Sequence, residues 1–265
     1  MTTASVSGSR ERELWRLLGE VNDPELDEPV TEMGFVERAE VASDGSVEVD
    51  FRLPTYWCSP NFAFLMLDGV RKALDRLSWS PVYRVTLHDH MFAEEVNSGM
   101  EAGRSFGDIF GELAGDLDLG TLRETFAMKA FKRRQEAVLL SLRQCGLPDQ
   151  EILGMDLVAY DATQFGADEA AKQKARYRAA LMERFSARRT DDPVFLTWEG
   201  QKIPVSALGA HLAELRGVRI NMEFNGALCR GLKHTRYKEL DVVDGEPTLV
   251  DFIMDRVPVE PAPNI

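Results

Sequence analysis

The chain has 265 residues, more than the ~100 to 200 of one typical domain, so one or two domains are expected. Hydrophobic residues at 44% and charged residues at 28% fall in the globular range and exclude wholesale disorder. Lys and Arg number 31 against 44 Asp and Glu, and the net charge of -13 disfavours nucleic acid and anionic lipid as partners.

The first helical pattern places Leu14, Leu17, Leu18 and Val21 on one face between about Arg10 and Val21, and Asp23-Pro24 ends it. Gly34 to Val41 and Ser46 to Leu53 flank the turn Ala42-Ser43-Asp44-Gly45. Val47, Val49, Phe51 and Leu53 alternate there with polar residues, which predicts a hairpin with one wet face. Ser59 supplies a capping hydroxyl and Pro60 an N1 proline for a second helix over about Pro60 to Leu77,. Val82 to His88 alternates as a third strand. The order is therefore α-β-β-α-β over residues 1–100.

Residues 101–265 read as a mainly helical region, possessing a shorter helix marked by Phe106, Ile109, Phe110, Leu113 and Leu117, then helices over Leu119 to Gln144 and Ala167 to Arg188,. A short mixed α/β part closes the chain, with strand candidates at Val194 to Trp198, Gln201 to Val205 and Val218 to Phe224 around a helix at Ala207 to Leu215,. The fold class is α+β. No apolar run reaches the ~18 residues of a membrane helix. The three cysteines, Cys58, Cys145 and Cys229, form no paired motif, which fits a reducing, cytoplasmic setting. The Pro-rich end VPVEPAPNI is expected to be a loose tail.

Four groups of residues could do chemistry. Cys58 falls between a strand and a helix, where unpaired N–H groups and the positive helix end favour a reactive thiol; read by position alone, a free cysteine is more often a small core residue. Asp23-Pro24-Glu25 is an acidic turn able to ligate a metal, although such a turn is commonly no more than a turn. His88 and His90 share one face if the chain stays extended, and could meet a single ion. Cys229 and His234 could form a two-donor zinc arm if their segment turned back on itself. The basic run Lys129 to Ala137 (KAFKRRQEA) is a solvated helix face or meets an acidic partner. Nucleotide-binding glycine motifs, the nucleophile elbow, the HExxH zinc motif and di-iron Glu-x-x-His pairs are all absent from the sequence.

The ordered set VNDPELDEPVTEMGFVERAEV, VEVDFRLPT and WCSP with its following helix and strand, from Leu17 to about Leu87, resembles the PaaD/SufT-like domain of metal-sulfur cluster assembly proteins. The resemblance implies two helices packed on a small sheet, a functional face at Asp23, Glu25 and Cys58, a transient iron or iron-sulfur cargo, and protein partners. Here Pro54-Thr55-Tyr56-Trp57 crowds the cysteine with aromatics where a Gly-containing approach is commoner, and no cysteine-rich module follows. A mononuclear site built from Cys58, His88 and His90, with Glu25 as a further ligand, is an expectation from the residues rather than from the family; zinc is an alternative occupant.

The leading expectation is an accessory protein that matures a client metalloenzyme, with other assembly factors as further partners and no catalytic residue of its own; the resemblance alone implies a multicomponent di-iron monooxygenase as such a client. Residues 101–265 would then recognise the client. The alternatives are a scaffold without metal and a mononuclear metalloenzyme. Open strand edges also allow a homodimer.

Overall fold

The computed structural model describes residues 3–111, 119–165, 168–186 and 189–236. Its elements are α1 (Thr3–Leu18), β1 (Val36–Val41), β2 (Val47–Arg52), α2 (Pro60–Leu74), β3 (Tyr83–His88), α3 (Ala93–Glu101), α4 (Phe106–Phe110), α5 (Leu119–Gln144), α6 (Asp149–Gly154), α7 (Leu157–Ala162), α8 (Asp168–Arg184) and α9 (Leu208–Arg236). They form two compact units. Over the described residues the first gathers 3–21, 30–104 and 227–236, and the second gathers 22–29 and those between 105 and 226.

In the first unit the sheet order is β1-β2-β3. The expected hairpin is present: β1 pairs antiparallel with β2, with a register shift between Val36 and Arg38, and Gly45 takes φ +89° in the turn, where a side chain would be strained. The α2 crossover then returns β3 parallel to β2. Alternation along β2 buries Val47, Val49 and Phe51 and leaves Glu48 exposed. Leu14, Leu17 and Leu18 of α1 and Met66, Leu67, Val70 and Leu74 of α2 complete this core. The wet face carries a charge network in which Arg38 reaches Glu40 at 3.0 Å, Glu48 at 3.0 Å and Asp50 at 2.6 Å.

The second unit is helical. Its core joins Phe131, Val138, Leu139 and Leu142 of α5 to Tyr160, Tyr177, Leu181, Phe195 and Leu215, with Tyr177 stacked on Phe195 at 5.8 Å between ring centroids. The fully buried Gln135 donates to the Tyr177 hydroxyl at 2.8 Å and to the Leu196 carbonyl at 2.7 Å, and its own oxygen meets His211 Nε2 at 2.7 Å. Every polar atom of that amide is therefore engaged, as burial requires.

Three expectations change. Val218 to Phe224 lies inside α9, because Leu215 and Met222, seven residues apart and both buried, mark a helical stripe that outweighs the β-branched residues between them. Val194 to Val205 carries one isolated bridge, Leu196 with Lys202, and Pro193 just before it bridges Asp156, instead of two strands. Ser59 makes no side-chain cap; its hydroxyl donates to the Asn61 amide oxygen, which in turn accepts the Phe62 N–H at 2.9 Å. Leu113, Leu117 and the closing VPVEPAPNI lie outside the described residues.

Candidate functional site

The segment between β2 and α2 leaves the sheet on two buried residues, Leu53 and Pro54, and then surfaces. Cys58 N–H closes a turn onto the Thr55 carbonyl at 3.4 Å, and the Cys58 thiol lies 3.2 Å from the Thr55 hydroxyl. The thiol is half-buried. Beside it Tyr56 and Trp57 are 43% and 72% exposed and meet edge to face with centroids 5.0 Å apart. The crowding expected of these aromatics is an exposed rim.

The loop after β3 pins this turn at two points. Met91 N–H donates to the Tyr56 carbonyl at 3.0 Å, and His90 Nε2 donates to the Cys58 carbonyl at 2.7 Å. His90 Nδ1 accepts the Phe92 N–H at 3.2 Å, so both ring nitrogens are engaged and the Nε2–H tautomer is fixed. Burial pushes this imidazole below the ordinary histidine pKa, which keeps it neutral and suited to that role. His88 instead sits on the wet face with Nε2 2.9 Å from Asp50 Oδ1. Extended alternation would have put the two rings on one side, but Asp89 takes φ +48° and turns the chain between them. Among the described residues no group of three or more His, Cys, Asp or Glu side chains is gathered as a metal site.

The acidic turn belongs to the helical unit. Asp23 Oδ1 accepts the Glu25 and Leu26 N–H groups, each at 2.9 Å. Glu25 Oε1 meets Lys129 Nζ at 3.3 Å. Asp27, 3% exposed, is gripped by Arg134 at 2.9 and 2.5 Å and by Arg176 at 2.7 Å. Arg133 donates to the Leu26 carbonyl at 2.9 Å. The basic run of α5 is therefore neither a solvated face nor a free partner surface at these positions; it holds the chain's own acidic turn. Sequence spacing alone gives no sign of a contact between residues 107 positions apart. In the Cys58 turn the sequence did not single out Thr55 or Met91 as contacts, and in the acidic turn it did not single out Asp27.

Burial raises the Asp23 carboxyl to about 6, against the lowering effect of its two backbone N–H donors. A carboxyl raised on folding binds its proton more tightly in the folded state, so its contribution is complete below about pH 4 and lost as pH rises through about 6. Asp23→Asn keeps the acceptor oxygen and removes the buried charge. It is expected to stabilise the protein at pH 7.5 by on the order of 2 to 3 kcal/mol and to have little effect at pH 4; urea denaturation of both proteins across this range measures the difference.

The position of Cys145 after a long helix and before Gly146 predicts a packed helix-end residue; it is instead exposed, beyond the end of α5. Cys229 and His234 both lie on α9, where five residues rotate the chain by about 500° and leave the two side chains about 140° apart. They form no two-donor arm. Among the described residues no helix is long and apolar enough to cross a membrane.

Comparison with curated proteins and with solved structures finds no match to this chain. Residues 11–87, which run from α1 to β3 and include the Cys58 turn, match the family model described as "Iron-sulfur cluster assembly protein", and this places the N-terminal third of the chain with the PaaD/SufT-like assembly domains.

Proposed function

We propose that this protein is an accessory factor in iron-sulfur cluster or iron cofactor assembly, in which Cys58 carries iron or an iron-sulfur precursor as cargo for a client metalloprotein. The observation that carries the reading is a half-exposed thiol in a turn fixed by His90 and Met91, within the segment that matches the assembly family. One thiol with a neighbouring hydroxyl fills only part of an iron coordination sphere. A donor or acceptor protein supplies the other ligands, and exchange at a single thiolate releases the cargo. Exposed Tyr56 and Trp57 suit a protein-docking rim around that exchange, since aromatics dominate interface energetics. The client class suggested by the family resemblance is a metalloenzyme such as a multicomponent di-iron monooxygenase.

The test is anaerobic reconstitution with ferrous iron and sulfide, followed by iron and acid-labile sulfide analysis of the wild type and of Cys58→Ala. Near-stoichiometric iron in the wild type and its loss in the variant are expected. Equal iron in both proteins, or none in either, overturns the carrier reading. The engagement of both histidines away from a common point favours, as the second reading, an adaptor that holds a client without metal.

A further inference from the structure

A cleft of about 670 Å³ opens beside β3, walled by Leu67 and Arg71 of α2 and by Asn97 and Met100 of α3. All of it lies in the first unit. β3 is the outer strand of the sheet. Val47 N–H donates to the Val82 carbonyl at 3.0 Å, and the parallel register sets Val47 beside Tyr83 and Val49 beside Val85. It follows that Arg84 and Thr86 direct their backbone groups to β2, and that Tyr83, Val85 and Leu87 direct theirs to the free edge.

The edge is closed at one end only. Asn97 accepts the Leu87 N–H at 2.9 Å and donates to the Leu87 carbonyl at 3.0 Å, so its amide stands in for a neighbouring strand residue. Among the described residues no such partner meets the edge groups of Tyr83 and Val85. Arg71 donates to the Met100 carbonyl, which ties α2 to α3 across the cleft.

We propose that this edge takes up an extended peptide segment of a partner protein by strand addition, and that the segment carries an acidic residue between two apolar ones. Its backbone would pair with Tyr83 and Val85, and the residues opposite them would point into the cleft against Leu67 and Met100. The residue opposite Arg84 lies on the other face. Arg84 is exposed there, its cross-strand neighbour Glu48 is held by Arg38 at 3.0 Å, and among the described residues no ion pair engages the Arg84 guanidinium. A carboxylate at that position completes the pair. A second copy fits poorly: antiparallel pairing of Tyr83 with the partner's Val85 would set two Arg84 side chains directly opposite, a destabilising like-charge contact.

The experiment measures fluorescence anisotropy with a short labelled peptide that alternates valine and threonine around one central glutamate. Binding by the full chain is expected, about fivefold weaker when the glutamate is replaced by lysine, with the preference reversed in Arg84→Glu. Val85→Pro removes an edge N–H without touching the ladder to β2 and is expected to abolish binding. Methylating the peptide's backbone nitrogens tests the same pairing on the unaltered protein. No binding, binding indifferent to methylation, or a glutamate preference unchanged in Arg84→Glu overturns the proposal. So does a dimer, seen by sedimentation, that Val85→Pro dissolves, which would make a second copy the occupant. Binding that appears only after removal of residues 237–265 would assign the edge to the chain's own end and overturn it as well. None of these readouts depends on Cys58 or on iron, so the cargo reading stands or falls separately.

Discussion

Asp27→Ala is expected to lower the stability of the helical unit by about 3 to 5 kcal/mol, the usual cost of removing one partner from a buried ion pair. The Asp27 side chain is 4% exposed, and those of Arg134 and Arg176 are 16% and 18% exposed. Desolvation already lowers the pKa of Arg176, and Arg134 and Arg133 lower it further. Without the carboxylate, two largely desolvated guanidiniums face one another with no anion between them. Asp27 also takes φ +56°, a conformation that alanine adopts at a cost of roughly 1 to 2 kcal/mol. Asparagine tolerates that backbone and retains one acceptor oxygen, so Asp27→Asn is expected to lose less. Urea denaturation gives the size of the effect, and faster hydrogen exchange in α5 and α8 locates it. A loss under about 1 kcal/mol would mean that the arginines find water or other acceptors instead.

The second large effect is expected in the first unit. Phe51→Ala removes the fully buried ring at the end of the central strand, where it meets Phe35 edge to face at 6.1 Å. Truncating a buried Phe costs about 3 to 5 kcal/mol through lost transfer energy and the cavity left behind. Because β2 leads directly into the Cys58 turn, exchange protection is expected to fall in β1, β2 and β3 and at the Met91 amide that donates to Tyr56. Unchanged protection at Met91 would show that the turn keeps its geometry independently of the sheet.

The contrast between these positions explains what the sequence made legible. Phe51 could be read because its burial is encoded locally: Val47, Val49, Phe51 and Leu53 alternate with charged residues, and a period of two allows one buried face. The same local logic located α1, α2, the hairpin and the cysteine before a proline-initiated helix. Asp27 could not be read because its partners are supplied by α5 and α8, and the resulting burial of three charges leaves no periodic mark. Asp89 illustrates a subtler limit. The alternation from Val82 to His88 is sound, yet one positive φ beyond the strand end separates His88 from His90 and sends their rings to different partners. In α9, the run VRINMEF carries β-forming residues within a stripe whose period emerges only when Leu215 and Met222 are read together.

Cysteine footprinting of the iron-loaded protein tests the central claim most directly. After anaerobic iron loading, brief iodoacetamide treatment and mass spectrometry report Cys58, Cys145 and Cys229 separately. Iron is expected to protect Cys58 and to leave the exposed Cys145 reacting as it does in the iron-free protein. Alkylation of Cys58 at the same rate with and without bound iron would contradict the assignment of the cargo to that thiol.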